Sequence, residues 1–523
     1  MSGMFESKQD KASRRNARTQ QEEKAKRKSR IITISVISAL VLFSTIAIVI
    51  NSGFIRRSAP AVTIDGVNFT AAEFEYFFNT EYLEYTNFMS QFQGMGAMPE
   101  QGRPLSSQIY NRETGETWAD FITTAALNRM ASLTVLNNAA RNANFRLTPE
   151  QRESIDDDMA MLEFQAAISG FPNTNSLLQQ TFGTGMNERT YRKIVEFVAL
   201  ATSYSEHIRE SFTFTSEELS EYYNENKDAL DIIAYRQFMV YIEFPDVESF
   251  DTDEEYDEAL VAAITETHDR ASAIASGITD ENSFIDAAYN YRDYYDDPES
   301  TFRLSQGSRL DIHTSEWLLD PARNYGDITI IDSDQGSYIV LFVNRDDNNY
   351  RTVGMRQILI MREQIFPEDF PLGEEDPDYI DALLESEQEA RERAETVNSL
   401  FIEAGSTEEA LIALIAEHSD DTTEGGYYSD ISKFPYQSSH INTMKVVEEI
   451  ENWLFDENRE IGDSQLVFTS SFGYHILYFT GFGDIFFEMI ATDRLRTQEH
   501  TDWLENLEVP LPVKRPAFIL VHV

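Results

Sequence analysis

At 523 residues the chain is longer than one hydrophobic core can organise, and 42% hydrophobic with 12% aromatic residues is enough to fill three or four compact units. Its formal charge of −48 is uneven: residues 1–30 hold ten Lys and Arg against four Asp and Glu, which leaves −54 on the rest. So acidic a surface repels phosphate backbones and excludes a nucleic-acid partner, while the absence of cysteine excludes disulfides, thiolate metal sites, Cys nucleophiles and a lipid-modified N-terminal Cys. The eight histidines show no HExxH or other short metal spacing, so neither metal nor cofactor is expected.

After the basic stretch, residues 31–50 form an uncharged, mostly apolar run of 20. At 1.5 Å rise per residue such a run spans a hydrocarbon core of roughly 30 Å, so a transmembrane helix is expected here. The basic flank Lys24–Arg30 would stay cytoplasmic and place everything after Asn51 outside, with the membrane held through residues 31–50. A cleaved signal peptide is the other reading, because Ala59-Pro-Ala61 has the small-x-small form of a cleavage site.

Ala61–Phe69 alternates apolar and polar residues around Asp65-Gly66 and reads as a short hairpin, followed by a helix capped by Thr70 with Glu73 at capping-box spacing. Apolar spacing of three and four then predicts helices over 118–144, 148–169, 188–211 and 215–226, with a loop over 94–104. The acidic run from Asp251 lacks the turn glycine of a calcium loop and reads as a helix start.

From Tyr235 the texture changes to a buried strand followed by two helices, and the same order returns at Arg356. Glu316-Trp-Leu-Leu-Asp320 is matched by Asn452-Trp-Leu-Phe-Asp456, Gly326-Asp327 by Gly462-Asp463, and the strand GSYIVLF by GYHILYF. The chain therefore carries a duplicated domain, with Trp317 and Trp453 at equivalent core positions. Phe487–Leu507 reads as helical, and 509–523, with three prolines, as extended.

The ordered series HSDD, GGYYSDI, EIENWLF, IGD and SSFGYHILYF in the second copy resembles the parvulin family of prolyl isomerases. The VTIDGVNFTAAEF opening at Val62 and the YYNENKDAL segment at Tyr222 are similar to the N-terminal chaperone region of SurA-, PrsA- and PpiD-type foldases. The resemblance implies an α+β chain: a basic cytoplasmic tail (1–30), a transmembrane helix (31–50), a helical SurA-like chaperone domain (58–230), a degenerate parvulin-like domain (233–344), a second parvulin-like domain (353–483) and a C-terminal helix and tail (484–523). Each parvulin-like domain would be a small antiparallel sheet covered by helices.

Parvulins catalyse rotation about the X–Pro amide without cofactor or covalent bond. They do so by gripping proline in an apolar pocket and placing polar groups where amide charge shifts. Family members have a histidine in the first strand, Cys or Asp in the serine-acid segment, Met and Phe on a pocket helix, Ser or Thr near the end, and a histidine in the last strand. The resemblance assigns His475, Asp421 and Ser470 to three of these positions and puts Gln357 where the first histidine stands. Val446, Ile450, Met444, Phe434 and Phe472 are the residues it offers for the proline pocket. His475 also reads as a satisfied core histidine, and Asp421 as a turn carboxylate. In the first copy the matching positions hold Gln237, Asp297 and Tyr338, which implies a module without catalysis.

The function implied is a membrane-anchored, extracytoplasmic chaperone for unfolded or nascent secreted polypeptides and their proline-containing segments, with prolyl cis–trans isomerase activity in the second parvulin-like domain. A non-enzymatic holdase or scaffold is the alternative, and an acidic structural envelope protein is a third reading.

Overall fold

The computed structural model describes residues 34–42, 44, 53–91, 98–292 and 297–520. It is a mixed helix and sheet structure with four small antiparallel sheets. The transmembrane helix expected over 31–50 is overturned: among the described residues no helix is long and apolar enough to cross a membrane. Residues 34–42 and 44 are helical. Nine residues make roughly 14 Å of helix, about half a hydrocarbon core, and the rest of that run lies outside the described residues. Two compact units emerge, residues 1–212 with 499–523, and residues 213–498.

In the first unit, β1 (Pro60–Ile64) and β2 (Val67–Thr70) form a hairpin. Its turn residues Asp65 and Gly66 both have positive φ, as a tight two-residue hairpin turn requires. Helix α1 (Ala71–Gln91) starts on a reciprocal cap, Thr70 N donating to Glu73 Oε2 at 2.7 Å and Glu73 N to Thr70 Oγ1 at 3.3 Å. A small hairpin, β3 (Ile109–Asn111) and β4 (Glu116–Thr117), leads into α2 (Trp118–Asn142), which carries its own capping box at Thr117 and Asp120. Helices α3 (Pro149–Ile168), α4 (Thr174–Phe182) and α5 (Glu188–Ser211) complete the unit. Phe74, Phe77, Ile122 and Met130 lie at the centre of its core. The C-terminal strand Val513–Lys514 joins this unit by pairing with β1, and Phe518 meets Phe74 edge-on at 5.0 Å.

In the second unit, α6 (Ser216–Glu225) precedes two sheets of the same construction. The first contains β5 (Ile232–Tyr241), β6 (Phe302–Gln306), β7 (Ile328–Asp332) and β8 (Gly336–Asp346) in the order β6-β5-β8-β7. Helices α7 (Asp253–Ala275) and α8 (Glu281–Tyr291) pack Ala271, Phe284 and Ala288 on one face of it. The short α9 (Ser315–Leu318) packs Leu318 on the other.

The second sheet contains β9 (Arg351–Met361), β10 (Tyr427–Ile431), β11 (Ser464–Thr469) and β12 (Gly473–Ile485) in the order β10-β9-β12-β11. Helices α10 (Pro377–Glu403) and α11 (Glu408–His418) cover the face of Ile358, Ile360 and Ile476. Helix α12 (Glu448–Leu454) covers the face of Met355, Leu477 and Phe479.

The duplication extends to single contacts. Arg236 Nε reaches Glu281 at 2.6 Å from β5 while Arg356 Nε reaches Glu408 at 2.7 Å from β9, each acid being the first residue of the following second helix. Arg323 lies over Trp317 at 4.9 Å and Arg459 over Trp453 at 4.1 Å. Gly326 N and Gly462 N donate to the carbonyls of Phe342 and Phe479, whose own N–H groups donate back to Asp327 and Asp463.

Candidate functional site

The site forms on the α12-facing side of the second sheet. Antiparallel pairing sets His475 opposite Leu359 and Gln357 opposite Leu477, so Gln357 and His475 are diagonal neighbours on one face. Beyond its pairing with β10, β9 is held by the serine-acid segment. Leu359 N donates to Ser419 Oγ at 3.1 Å, Asp420 N to Leu359 O at 2.8 Å, and Met361 N to Asp420 Oδ2 at 2.8 Å. Satisfying these edge groups of the strand fixes where the next residue, Asp421, stands.

From Asp421 a hydrogen-bond chain runs inward. Gln357 Nε2 donates to Asp421 Oδ2 at 2.8 Å, and Tyr428 OH donates to the same oxygen at 2.6 Å. Gln357 Oε1 lies 2.8 Å from His475 Nδ1, and His475 Nε2 lies 3.0 Å from Thr469 Oγ1. An amide oxygen only accepts, so Nδ1 carries the imidazole proton and Nε2 accepts from the Thr469 hydroxyl. Every donor in the chain therefore points toward Asp421.

Burial drives the His475 pKa down to about 4, against an upward pull from Asp421 and Glu449, and the ring is neutral at pH 7. At Asp421 burial acts to raise the carboxyl, but hydrogen bonds from Tyr428, Thr423 and Gln357 outweigh it and hold the group below its usual range. Burial and the bond to Asp421 raise Tyr428. The arrangement is one fixed negative charge at a half-buried mouth, backed by polarised neutral dipoles. It can orient and stabilise a shifting dipole, but near neutral pH it holds no group poised to exchange a proton.

Of the residues singled out in the sequence, the structure brings His475, Asp421 and Gln357 together. Ser470 is exposed in the turn after β11, and the hydroxyl on His475 belongs to Thr469 instead. Alternation explains the difference: Thr469 pairs with Gly473, two residues from His475 and on the same face, and Ser470 is one position out of step. Ile450 and Val446 sit in the apolar cluster with Ile431 and Trp453. Phe434 is buried in a different cluster, with Tyr436, Phe486 and Ile490. Met444 is exposed, its backbone held by Ser432 N at 2.9 Å. Phe472 is exposed too, its ring edge-on to His475 at 6.3 Å. Tyr428 and Thr423 complete the site without having been singled out, although Tyr428 stands in the GGYYSDI segment.

Among the described residues the first sheet shows no such chain. Gln237 Oε1 is buried without a hydrogen-bond partner, Tyr338 replaces the last-strand histidine, and Asp297 caps the turn Pro298–Thr301. Among the described residues no cluster of three or more His, Asp or Glu could hold a metal ion.

No protein-family model matches the chain, and no curated protein matches it either. Among solved structures, similarity is found to a chain described with the virulence factor PEB4 and the periplasmic protein Cj1289, two structurally related SurA-like chaperones of Campylobacter jejuni. The identity is 12%, covering 55% of this chain and 83% of that one, with a TM-score of 0.16. PrsA from Bacillus subtilis is similar at 12% identity over 59% of this chain and 90% of its own, with a TM-score of 0.14. Likeness at that level decides neither fold nor activity here.

Proposed function

We propose that the chain is a protein-folding factor that holds unfolded secreted polypeptides, and that its second repeat is a parvulin-type prolyl isomerase. The observation that carries the enzyme half is the chain Asp421–Gln357–His475–Thr469, which sets an acid, an amide, a last-strand histidine and a hydroxyl in contact across β9, β11 and β12. Rotation about an X–Pro amide needs no proton transfer, so a non-titrating Gln357 and a neutral His475 are compatible with it. Binding the twisted amide more tightly than the planar one is the source of rate; the half-buried Asp421 carboxylate at one end of the chain and the exposed Phe472 ring, edge-on to His475, supply the polar and apolar surfaces for that. An extracytoplasmic setting belongs to the same proposal. It rests on the basic-then-apolar order of the first fifty residues, the order of a segment read by export machinery.

The test is cis–trans exchange of a short X–Pro peptide with the whole protein. Wild type should accelerate exchange, and Asp421→Ala or His475→Ala should each lose about ten-fold or more, the weight of one charge-assisted hydrogen bond or of a broken chain. A folded wild type that leaves the uncatalysed rate unchanged removes the isomerase and favours the holdase.

A further inference from the structure

In a protein of net charge −48, the first unit contains a cavity of about 670 Å³ whose rim is basic. Arg141, Arg146, Arg152, Arg192 and Lys193 line it, against Asp156 and Glu196. Both of those acids are engaged by Arg192, at 2.7 and 3.9 Å, and Lys193 pairs with Glu73. Arg141, Arg146 and Arg152 are exposed and, among the described residues, have no acidic partner. They come from the end of α2, the connection after it and the first turn of α3, and converge on one opening.

The walls are apolar, formed by Phe145, Leu147, Ile155, Phe197 and Leu200. One polar atom stands out against them. Asn137 also lines the cavity and is 1% exposed. Its Nδ2 donates to the carbonyls of Leu133 and Phe197 at 2.9 and 2.8 Å. Since both partners only accept, the amide cannot be turned round, and Oδ1 is left buried without a partner. A buried acceptor of this kind calls for a donor, which a backbone N–H supplies and a bare carboxylate or phosphate does not.

We infer that this cavity binds an extended polypeptide segment that alternates acidic and apolar side chains. One backbone N–H would donate to Asn137 Oδ1, carboxylates would meet Arg141, Arg146 and Arg152, and apolar side chains would enter between Phe145 and Phe197. The volume falls within the range of specific ligand pockets. The rest of so acidic a surface repels acidic chains, so a basic mouth selects the segments that would otherwise be turned away. The inference rests on the client-binding half of the proposed function and narrows it to a class of client.

The experiment uses the whole protein and a fluorescein-labelled decapeptide of alternating Glu and Leu, read by fluorescence anisotropy. The acidic peptide should bind at least ten-fold more tightly than its Gln/Leu counterpart. Binding should weaken with salt and fall about ten-fold in the surface variant Arg141→Gln/Arg146→Gln/Arg152→Gln. Backbone N-methylation of the peptide should weaken it as well, since that removes the donor for Asn137. Equal affinity for the Gln/Leu peptide, an unchanged triple variant, or displacement by inorganic phosphate at matched ionic strength as effective as by unlabelled peptide would each overturn the inference. The probe has no proline and the three arginines lie in the first unit. Lost binding with intact isomerisation therefore strikes this inference alone, and absent isomerisation leaves it standing.

Discussion

His475 is 3% exposed between Gln357 and Thr469, and its depressed pKa of about 4 makes the site a source of pH-dependent stability. Between pH 6.5 and pH 4 the unfolded chain binds a proton that the folded ring refuses, so stability falls as pH drops through that window and falls no further below it. From pH 7 to pH 5 the loss is about 2 kcal/mol. The lowered Asp421 contributes elsewhere, its stabilisation being lost only as pH falls below the usual carboxylate range. His268 has the opposite sign, since the bond to Asp332 raises its pKa and that contribution fades as pH rises past 6.5. His475→Gln should therefore flatten the difference between urea midpoints of the whole protein at pH 7 and pH 5. If the variant loses as much on acidification as wild type, the titrating group is not His475. At this scale the sequence located Asp421 and His475 because local motifs mark them. It misplaced the hydroxyl by one residue because two adjacent hydroxyl residues, Thr469 and Ser470, are separated only by strand parity.

The connection between α11 and β10 is where element geometry and site geometry meet. Gly425 and Gly426 both have positive φ, 58° and 56°, so either substitution by alanine meets backbone strain of about 1 kcal/mol. Their surroundings differ. A Cβ on Gly426 would stand 2.3 Å from the carbonyl oxygen of Gln357, whereas one on Gly425 meets Arg356 Nη1 at 3.0 Å, the end of a long side chain able to move. Gly426→Ala should thus cost at least about 2 kcal/mol more than Gly425→Ala, because it pushes β9 at the residue that bridges Asp421 and His475. Thermal unfolding of the two variants checks this, and equal losses would mean that β9 yields without cost. The sequence displayed the duplication through Trp317 and Trp453, the paired Gly-Asp turns and the two closing strands, all of them large or conformationally special residues. It did not display α4 or the β3–β4 hairpin, which are short and carry little periodicity. Nor did it display the basic cavity, whose arginines converge only when α2, α3 and α5 pack.

At the scale of the whole molecule, β1 and the C-terminal strand are tied into one unit. Val62 and Thr63 of β1 pair with Lys514 and Val513, and Arg515 N donates to Ala61 O at 2.7 Å. Phe518 packs on the fully buried Phe74, and Trp503 meets Tyr204 at 6.3 Å. Periodicity predicted a helix over 487–507 and an extended tail, but a sequence pattern cannot say which core a tail completes. Removing 509–523 withdraws the third strand of the β1–β2 sheet and uncovers Phe74, at a cost of about 3 kcal/mol, close to that of truncating a buried aromatic contact. Hydrogen exchange should then show faster exchange of the α2 amides from Ile122 to Met130, while the β12 amides from Gly473 to Phe479 keep their protection, because the second unit has its own clusters. Unchanged α2 protection would mean that the first unit stands without its C-terminal strand. A loss spread evenly over both units would mean that they unfold as one, against the division of contacts at residues 212 and 498.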